Sequence, residues 1–386
     1  MADQPSFTVD GNTLRLITEG PERLATLIDL IVNARASLRI IYYIYVDDDA
    51  GKRVRQALID AAGRGVSVYL IVDGMGSEHA ANHRFFDSLK AAGVEVCRFV
   101  PRWGRRYLLR NHQKLALADE RIVLIGGFNI QDSYFGTEDE QAWRDLGLLI
   151  EGPDAGGLVG YFDALAEWAR EVSPPLRRLN RLLDRWSGSD GNMRWLLGGP
   201  SRRLSPWARA VRQDLKKAMR VDLISAYFAP NPAMLTRLDR VGEEGRARLV
   251  LASKNDHGAA IWASRFTYAG LLRKGVEIYE YQPTKLHTKL FLIDDVVYIG
   301  SANYDIRSLF LNMEIMLRVD DTAFAEHVRA YIDGEIANAE RITRDLYRSR
   351  TSAWTRVKQA AAFFVMTVLD YNVTRRLNFG GRPPKP

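Results

Sequence analysis

Two short stretches, His112-Gln-Lys114-Leu-Ala-Leu-Ala-Asp119 and His287-Thr-Lys289-Leu-Phe-Leu-Ile-Asp294, repeat one pattern 175 residues apart. Each reads His, one residue, Lys, four residues, Asp. Each then runs through an apolar segment into a small-residue turn, Gly126-Gly127-Phe128-Asn129 or Gly300-Ser301-Ala302-Asn303. A lone His-x-Lys arises often by chance. Six matching points in the same order, set between apolar runs, constrain the chain to two similar halves that contribute to one active centre.

The periodicity around these motifs supports that reading. Apolar β-rich runs at 38–46, 66–72 and 94–100 alternate with helical patterns at 21–34, 51–62 and 83–92, which predicts an α/β layer architecture. Runs at 221–228 and 247–252 repeat the plan, and Lys274-Gly275-Val276-Glu277 echoes Ala92-Gly93-Val94-Glu95. Residues 102–110 are an insertion found only in the first half, carrying Arg102, Arg105, Arg106 and Arg110 with aromatic and leucine residues between them. Next to a catalytic strand, such a loop is expected to select substrate. The predicted organisation is a first domain over 1–175, a basic linker rich in Trp and Arg over 176–206, a second domain over 207–350 and an amphipathic tail over 351–386.

With 386 residues the chain has room for two cores. Lys and Arg exceed Asp and Glu by 54 to 47, a formal charge of +7, which favours anionic partners without choosing among phospholipid, nucleic acid and phosphorylated substrates. The single cysteine, Cys97, excludes a disulfide framework. No stretch reaches the roughly 20 apolar residues of a bilayer span, so membrane contact is expected to be peripheral. Trp195 in the linker, with Phe363 and Phe364 in the tail, are the candidate interfacial residues, because aromatic and arginine residues together suit lipid headgroups.

Two histidines and two lysines with no local cluster of carboxylates or thiolates predict phosphoryl chemistry without a metal or other cofactor. Lys114 and Lys289 can hold non-bridging phosphate oxygens as point charges. Asn129 and Asn303, with Ser301 and the backbone at Gly127, can donate further hydrogen bonds to phosphate. One neutral histidine can attack phosphorus while the other gives a proton to the leaving alcohol. Each needs an acidic partner to hold its tautomer. Asp119 and Asp294 are candidates from the motifs, although seven residues of strand could instead carry them into structural bonds. Asp145 and Glu314, farther along the chain, are equally weighted as orienters.

The paired motifs resemble the His-Lys-Asp signatures of the phospholipase D superfamily over nearly the whole chain. Tyr42-Tyr43-Ile44-Tyr45, Trp143-Arg144-Asp145 and Arg307-Ser308-Leu309-Phe310-Leu311-Asn312-Met313-Glu314 resemble bacterial cardiolipin synthases of the shorter kind, which lack an N-terminal transmembrane pair. The resemblance implies a phospholipase D-like fold: two pseudo-twofold related α/β/α sandwich domains with mixed sheets. It also implies phosphatidyl transfer through a phosphohistidine, with His112 as nucleophile and His287 as acid and base. Anionic phospholipids are the implied partners, nucleic acid is disfavoured, and the implied location is peripheral, on the cytoplasmic side of the bacterial inner membrane.

Overall fold

The computed structural model describes residues 5–78, 83–100, 109–171, 174–201, 204–254 and 258–369. Arg102, Arg105 and Arg106 lie outside the described residues.

The first half contributes β1 (Ser6–Val9), β2 (Asn12–Ile17), β3 (Ser37–Tyr42), β4 (Ser67–Asp73), β5 (Glu95–Phe99), β6 (Leu115–Ala118), β7 (Ile122–Gly126) and β8 (Gly147–Glu151). They form a mixed sheet in the order β1-β2-β8-β7-β6-β3-β4-β5. β3, β4 and β5 run parallel, joined by helical crossovers, whereas β6, β7 and β8 are antiparallel. β1 and β2 are joined by a tight turn at Asp10 and Gly11, both with positive φ, which the Asp-Gly pair suits.

The second half supplies β9 (Met193–Gly198), β10 (Arg220–Ser225), β11 (Phe228–Ala229), β12 (Arg246–Ala252), β13 (Glu277–Tyr281), β14 (Lys289–Ile293), β15 (Val296–Gly300), β16 (Tyr304–Asp305), β17 (Glu314–Asp320) and β18 (Ala339–Ile342). Its large sheet runs β18-β13-β12-β10-β14-β15-β17-β9, and β11 pairs with β16 separately. Read from the other edge, this is the first sheet again, with β9 in the place of β2 and β17 in the place of β8. The stretch expected to link the domains is therefore structural: a helix over Leu176–Trp186 and then β9, whose Trp195 pairs with Leu317.

Helices α1 (Gly20–Asn33), α2 (Asp49–Gly63), α3 (His83–Ala91), α4 (Pro153–Arg170) and α5 (Leu176–Trp186) precede β9. α6 (Pro206–Lys217), α7 (Pro232–Glu244), α8 (Gly258–Arg273), α9 (Ile306–Phe310), α10 (Thr322–Ala337), α11 (Arg344–Arg350) and α12 (Ala353–Phe364) follow it. The period-two alternation of the strands divides side chains between cores. Ile40 and Tyr42 join a core with α1, α2 and α3, while Ile41 faces a central core shared by both sheets. Leu290 and Leu292 enter that same central core, and Phe291 and Ile293 pack towards α6, α7 and α8. α4, α5 and α10 fill the space between the sheets, so the two halves bury one another. Among the described residues no helix is long and apolar enough to cross a membrane.

Candidate active site

Each His-x-Lys segment sits just before a hairpin, β6–β7 or β14–β15, and is bridged to the opposite half. The His112 N–H donates to the Met313 carbonyl at 2.9 Å, and the Met313 N–H donates to the Arg110 carbonyl at 2.9 Å. In the second half, the His287 N–H donates to the Arg144 carbonyl at 2.7 Å, and the Arg144 N–H to the Lys285 carbonyl at 2.9 Å. These short bridges place the residues after Met313 and Arg144, namely Glu314 and Asp145, beside the histidines. The orienting acids are thus crossed. His112 Nδ1 lies 3.0 Å from both carboxylate oxygens of Glu314, and His287 Nδ1 lies 2.6 Å from Asp145 Oδ2.

Both carboxylates are fully buried and fixed from behind. Ser301 and Ser308 donate their hydroxyls to Glu314 at 2.5 and 2.9 Å. Asp145 accepts the Leu146 N–H at 2.8 Å, while buried Arg23 ties the Asp145 carbonyl (2.6 Å) to that of Tyr134 (2.8 Å). The pseudo-equivalent positions Gly127 and Ser301 differ for a steric reason. A Cβ at Gly127 would lie 2.4 Å from Asp145 Oδ1 and 2.9 Å from the Lys289 stem, so glycine lets carboxylate and lysine approach. Glu314 has a longer side chain, and there a serine hydroxyl becomes a partner.

Lys114 donates to the His112 carbonyl at 2.7 Å, and Lys289 donates to the His287 carbonyl. Lys289 Nζ also lies 2.8 Å from His287 Nδ1, which leaves it at most one donor for a ligand, whereas Lys114 keeps two. Tyr43 meets the His112 ring edge-on at 5.0 Å, and Tyr134 and Trp143 do the same to His287 at 5.0 and 5.2 Å. Both histidines, Asn129, Asn303 and Arg110 line one cleft of about 460 Å³. Asn129 is itself anchored, accepting from the Ile44 N–H at 3.2 Å and donating to the Tyr134 hydroxyl at 3.0 Å.

Burial sets the charge state. It lowers His112 to about 4, with Glu314 opposing and Lys114 reinforcing the shift. Burial and the Lys289 ammonium lower His287 to about 3 in spite of Asp145. Burial also lowers Lys289 to about 8 and holds Lys114 well below its ordinary value. Near pH 7 both imidazoles are therefore neutral, each with Nδ1 against a carboxylate and Nε2 left for chemistry. A phosphodiester anion bound close to the two ammonium groups would compensate their charge and raise the proton affinity of the imidazoles. That is the condition for one of them to act as an acid.

The motif aspartates are elsewhere. Asp119 and Asp294 occupy left-handed positions at the far ends of the hairpins, with φ of +49° and +51°. At roughly 3.3 Å per strand residue, the five steps along β6 carry Asp119 about 16 Å beyond Lys114. Its carboxylate accepts from the N–H groups of Arg35, Ala36 and Ser37 at 2.7–2.9 Å, and that of Asp294 from Met219 and Arg220 at 3.0 and 2.8 Å. Burial opposes ionisation of Asp119, but the three backbone donors outweigh it and depress its pKa. Asp119→Ala is expected to cost about 1–2 kcal/mol of stability, seen as a lower Tm, with kcat essentially unchanged.

Trp195 is buried, and its indole donates to the Asp154 carbonyl at 2.9 Å, so it does not reach a membrane. Phe363 packs on Phe266 of α8 with ring centroids 4.8 Å apart, while Phe364 is exposed. The tail expected beyond 351 is docked on the second half as α12, followed by a π turn over Val365–Leu369 whose Met366 lines the cleft. Sequence reasoning missed Arg23 and Ser308 as supports. A single arginine in an amphipathic helix gives no local sign that it will bind three loops. No group of three or more potential metal ligands gathers among the described residues.

Comparison with known proteins agrees with this architecture. The chain is 32% identical over 343 residues to "Cardiolipin synthase A" of Pseudomonas fluorescens, covering 86% of this chain and 70% of that protein. It is 29% identical over 382 residues to "Cardiolipin synthase 1" of Staphylococcus aureus, covering 96% and 76%. The crystal structure of phosphatidylserine synthase from Haemophilus influenzae superposes with a TM-score of 0.73 at 12% identity, covering 97% of each chain, which establishes the shared fold. Residues 27–155 and 211–336 match the family model described as "Cardiolipin synthase, PLD-like domain", and the chain belongs to that family within the phospholipase D superfamily.

Proposed function

We propose that this protein moves the phosphatidyl group of one phospholipid to the glycerol headgroup of phosphatidylglycerol, through a phosphohistidine on His112. The observation that carries the proposal is the crossed pair of buried acid–imidazole couples facing one cleft, in a chain whose relatives are named cardiolipin synthases. Phosphatidylglycerol is proposed as donor as well as acceptor.

Lys114 and Lys289 hold the phosphate oxygens and draw the diester between the imidazoles. His112 Nε2 attacks phosphorus, the P–O bond to the departing glycerol breaks, and protonated His287 gives its proton to that oxygen. Glu314 stabilises the positive charge developing on His112. His287, now neutral, takes the proton of the incoming phosphatidylglycerol hydroxyl. The new P–O bond then forms as the P–N bond breaks, and His112 is restored. The balance is one cardiolipin and one glycerol from two phosphatidylglycerols.

Incubating the purified protein with phosphatidylglycerol vesicles and EDTA, then weighing the lipids by mass spectrometry, tests this. Cardiolipin with an equal amount of free glycerol is expected. Phosphatidic acid as the sole product would assign hydrolysis instead, and cleavage of DNA with no lipid turnover would assign a nuclease.

A further inference from the structure

Helix α12 is inside out. Its packed face centres on Gln359, 2% exposed, which accepts from the Tyr347 hydroxyl at 2.9 Å. Its outward stripe is apolar: Trp354, Val357 and Phe364 are 66%, 55% and 50% exposed at helical spacing. α8 adds Trp262 and Phe266, also large and exposed. Lys358 lies 5.4 Å over the Trp262 ring and 5.7 Å over that of Trp354, joining the two helices into one surface.

Beside this surface, α8, α11 and α12 enclose a second groove of about 360 Å³. Arg273, Arg344, Arg348 and Arg356 line it with Tyr347 and Phe266, and no acidic residue does among the described residues. Phe266 belongs to both features. A partner must therefore offer hydrocarbon to the stripe and anionic oxygens to the groove.

The same two helices border the catalytic cleft. The first turn of α8 gives Ala259 and Ala260 to its wall, and the turn after α12 gives Met366. We infer that the face built by α8, α11 and α12 docks on an anionic phospholipid bilayer, its aromatic stripe entering the interface and its arginine groove taking a lipid phosphodiester outside the catalytic cleft. Docking this way sets the cleft mouth at the lipid surface. The choice of a bilayer over a protein partner rests on the phospholipid reading of that cleft, since only a bilayer brings the cleft its substrate.

The full chain, a Trp354→Ser/Val357→Ser variant and an Arg348→Glu/Arg356→Glu variant should be sedimented with phosphatidylglycerol/phosphatidylcholine vesicles. Each is assayed in parallel on short-chain phosphatidylglycerol below its micellar concentration. A basic residue near an anionic surface is worth roughly fivefold in partitioning, so the arginine pair should lose about 25-fold or more. The apolar pair should lose roughly tenfold or more. Short-chain turnover should stay within about twofold of the parent, which also shows that the variants fold. Parent binding should fall steeply with added salt, a reading that needs no variant. Vesicle binding unchanged in both variants, or equal binding to pure phosphatidylcholine, would overturn the docking face. Absent short-chain turnover in the parent, with the vesicle results intact, would overturn the phosphatidyl-transfer reading and leave the face standing.

Discussion

His112→Asn is expected to abolish phosphatidyl transfer and the covalent intermediate together. Deleting a covalent nucleophile lowers turnover on the order of 10⁶-fold, because the other imidazole that lines the cleft among the described residues, His287, is needed for proton transfer. The informative contrast is His287→Asn. Loss of the proton donor costs about 10²–10⁴-fold on a natural donor. A phosphatidyl ester of p-nitrophenol, whose leaving group needs no proton, should still load His112 in that variant and stall there. Quenching in alkali, where phosphohistidine survives, followed by peptide mapping, reads the result. An adduct in His112→Asn and none in His287→Asn would exchange the two roles.

The second large effect belongs to the crossed acids. Glu314→Gln and Asp145→Asn should each lower kcat by on the order of 10³–10⁴-fold with little change in fold, since the amides keep the volume but lose the carboxylate that fixes the tautomer and balances the imidazolium. Their signatures should differ. Glu314→Gln, though in the second half, should slow loading of the p-nitrophenyl ester, because its partner is His112 at 3.0 Å. Asp145→Asn should spare loading and block transfer to the acceptor, because its partner is His287 at 2.6 Å. Each phenotype following its own half's histidine would refute the crossed arrangement.

Much of this molecule is legible in the sequence where information is local. The His-x-Lys pairs, the Gly-rich turns and the strand–helix alternation each reflect chemistry within a few residues; the fold bears out the alternation, and both histidines line one cleft. What fails depends on distances across the fold. Asp119 and Asp294 belong to the motif by spacing, yet a strand's rise carries them to the other end of the hairpin, where a left-handed turn and free backbone N–H groups suit an aspartate. The acids were legible as candidates, but separation along the chain suggests that each serves its own half. Only the bridges from Met313 to His112 and from Arg144 to His287 reverse that. Trp195 was misread because arginine and tryptophan in one stretch look alike whether they face lipid or a sheet. Met193–Gly198, the edge strand that holds it, is six residues long and buried at every position but Arg194, so no polar alternation marks it in the sequence.

The crossed carboxylates also bear on how such a chain can change over time. On the proposed mechanism, a substitution at Asp145 would fall on the histidine of the second half, and one at Glu314 on that of the first, so neither half would drift on its own. A half-chain standing alone would hold a histidine with no acid to orient it. It could complete that site only by pairing with another copy carrying the missing carboxylate. Each half is thus the other's cofactor, and the descent of either is recorded in both.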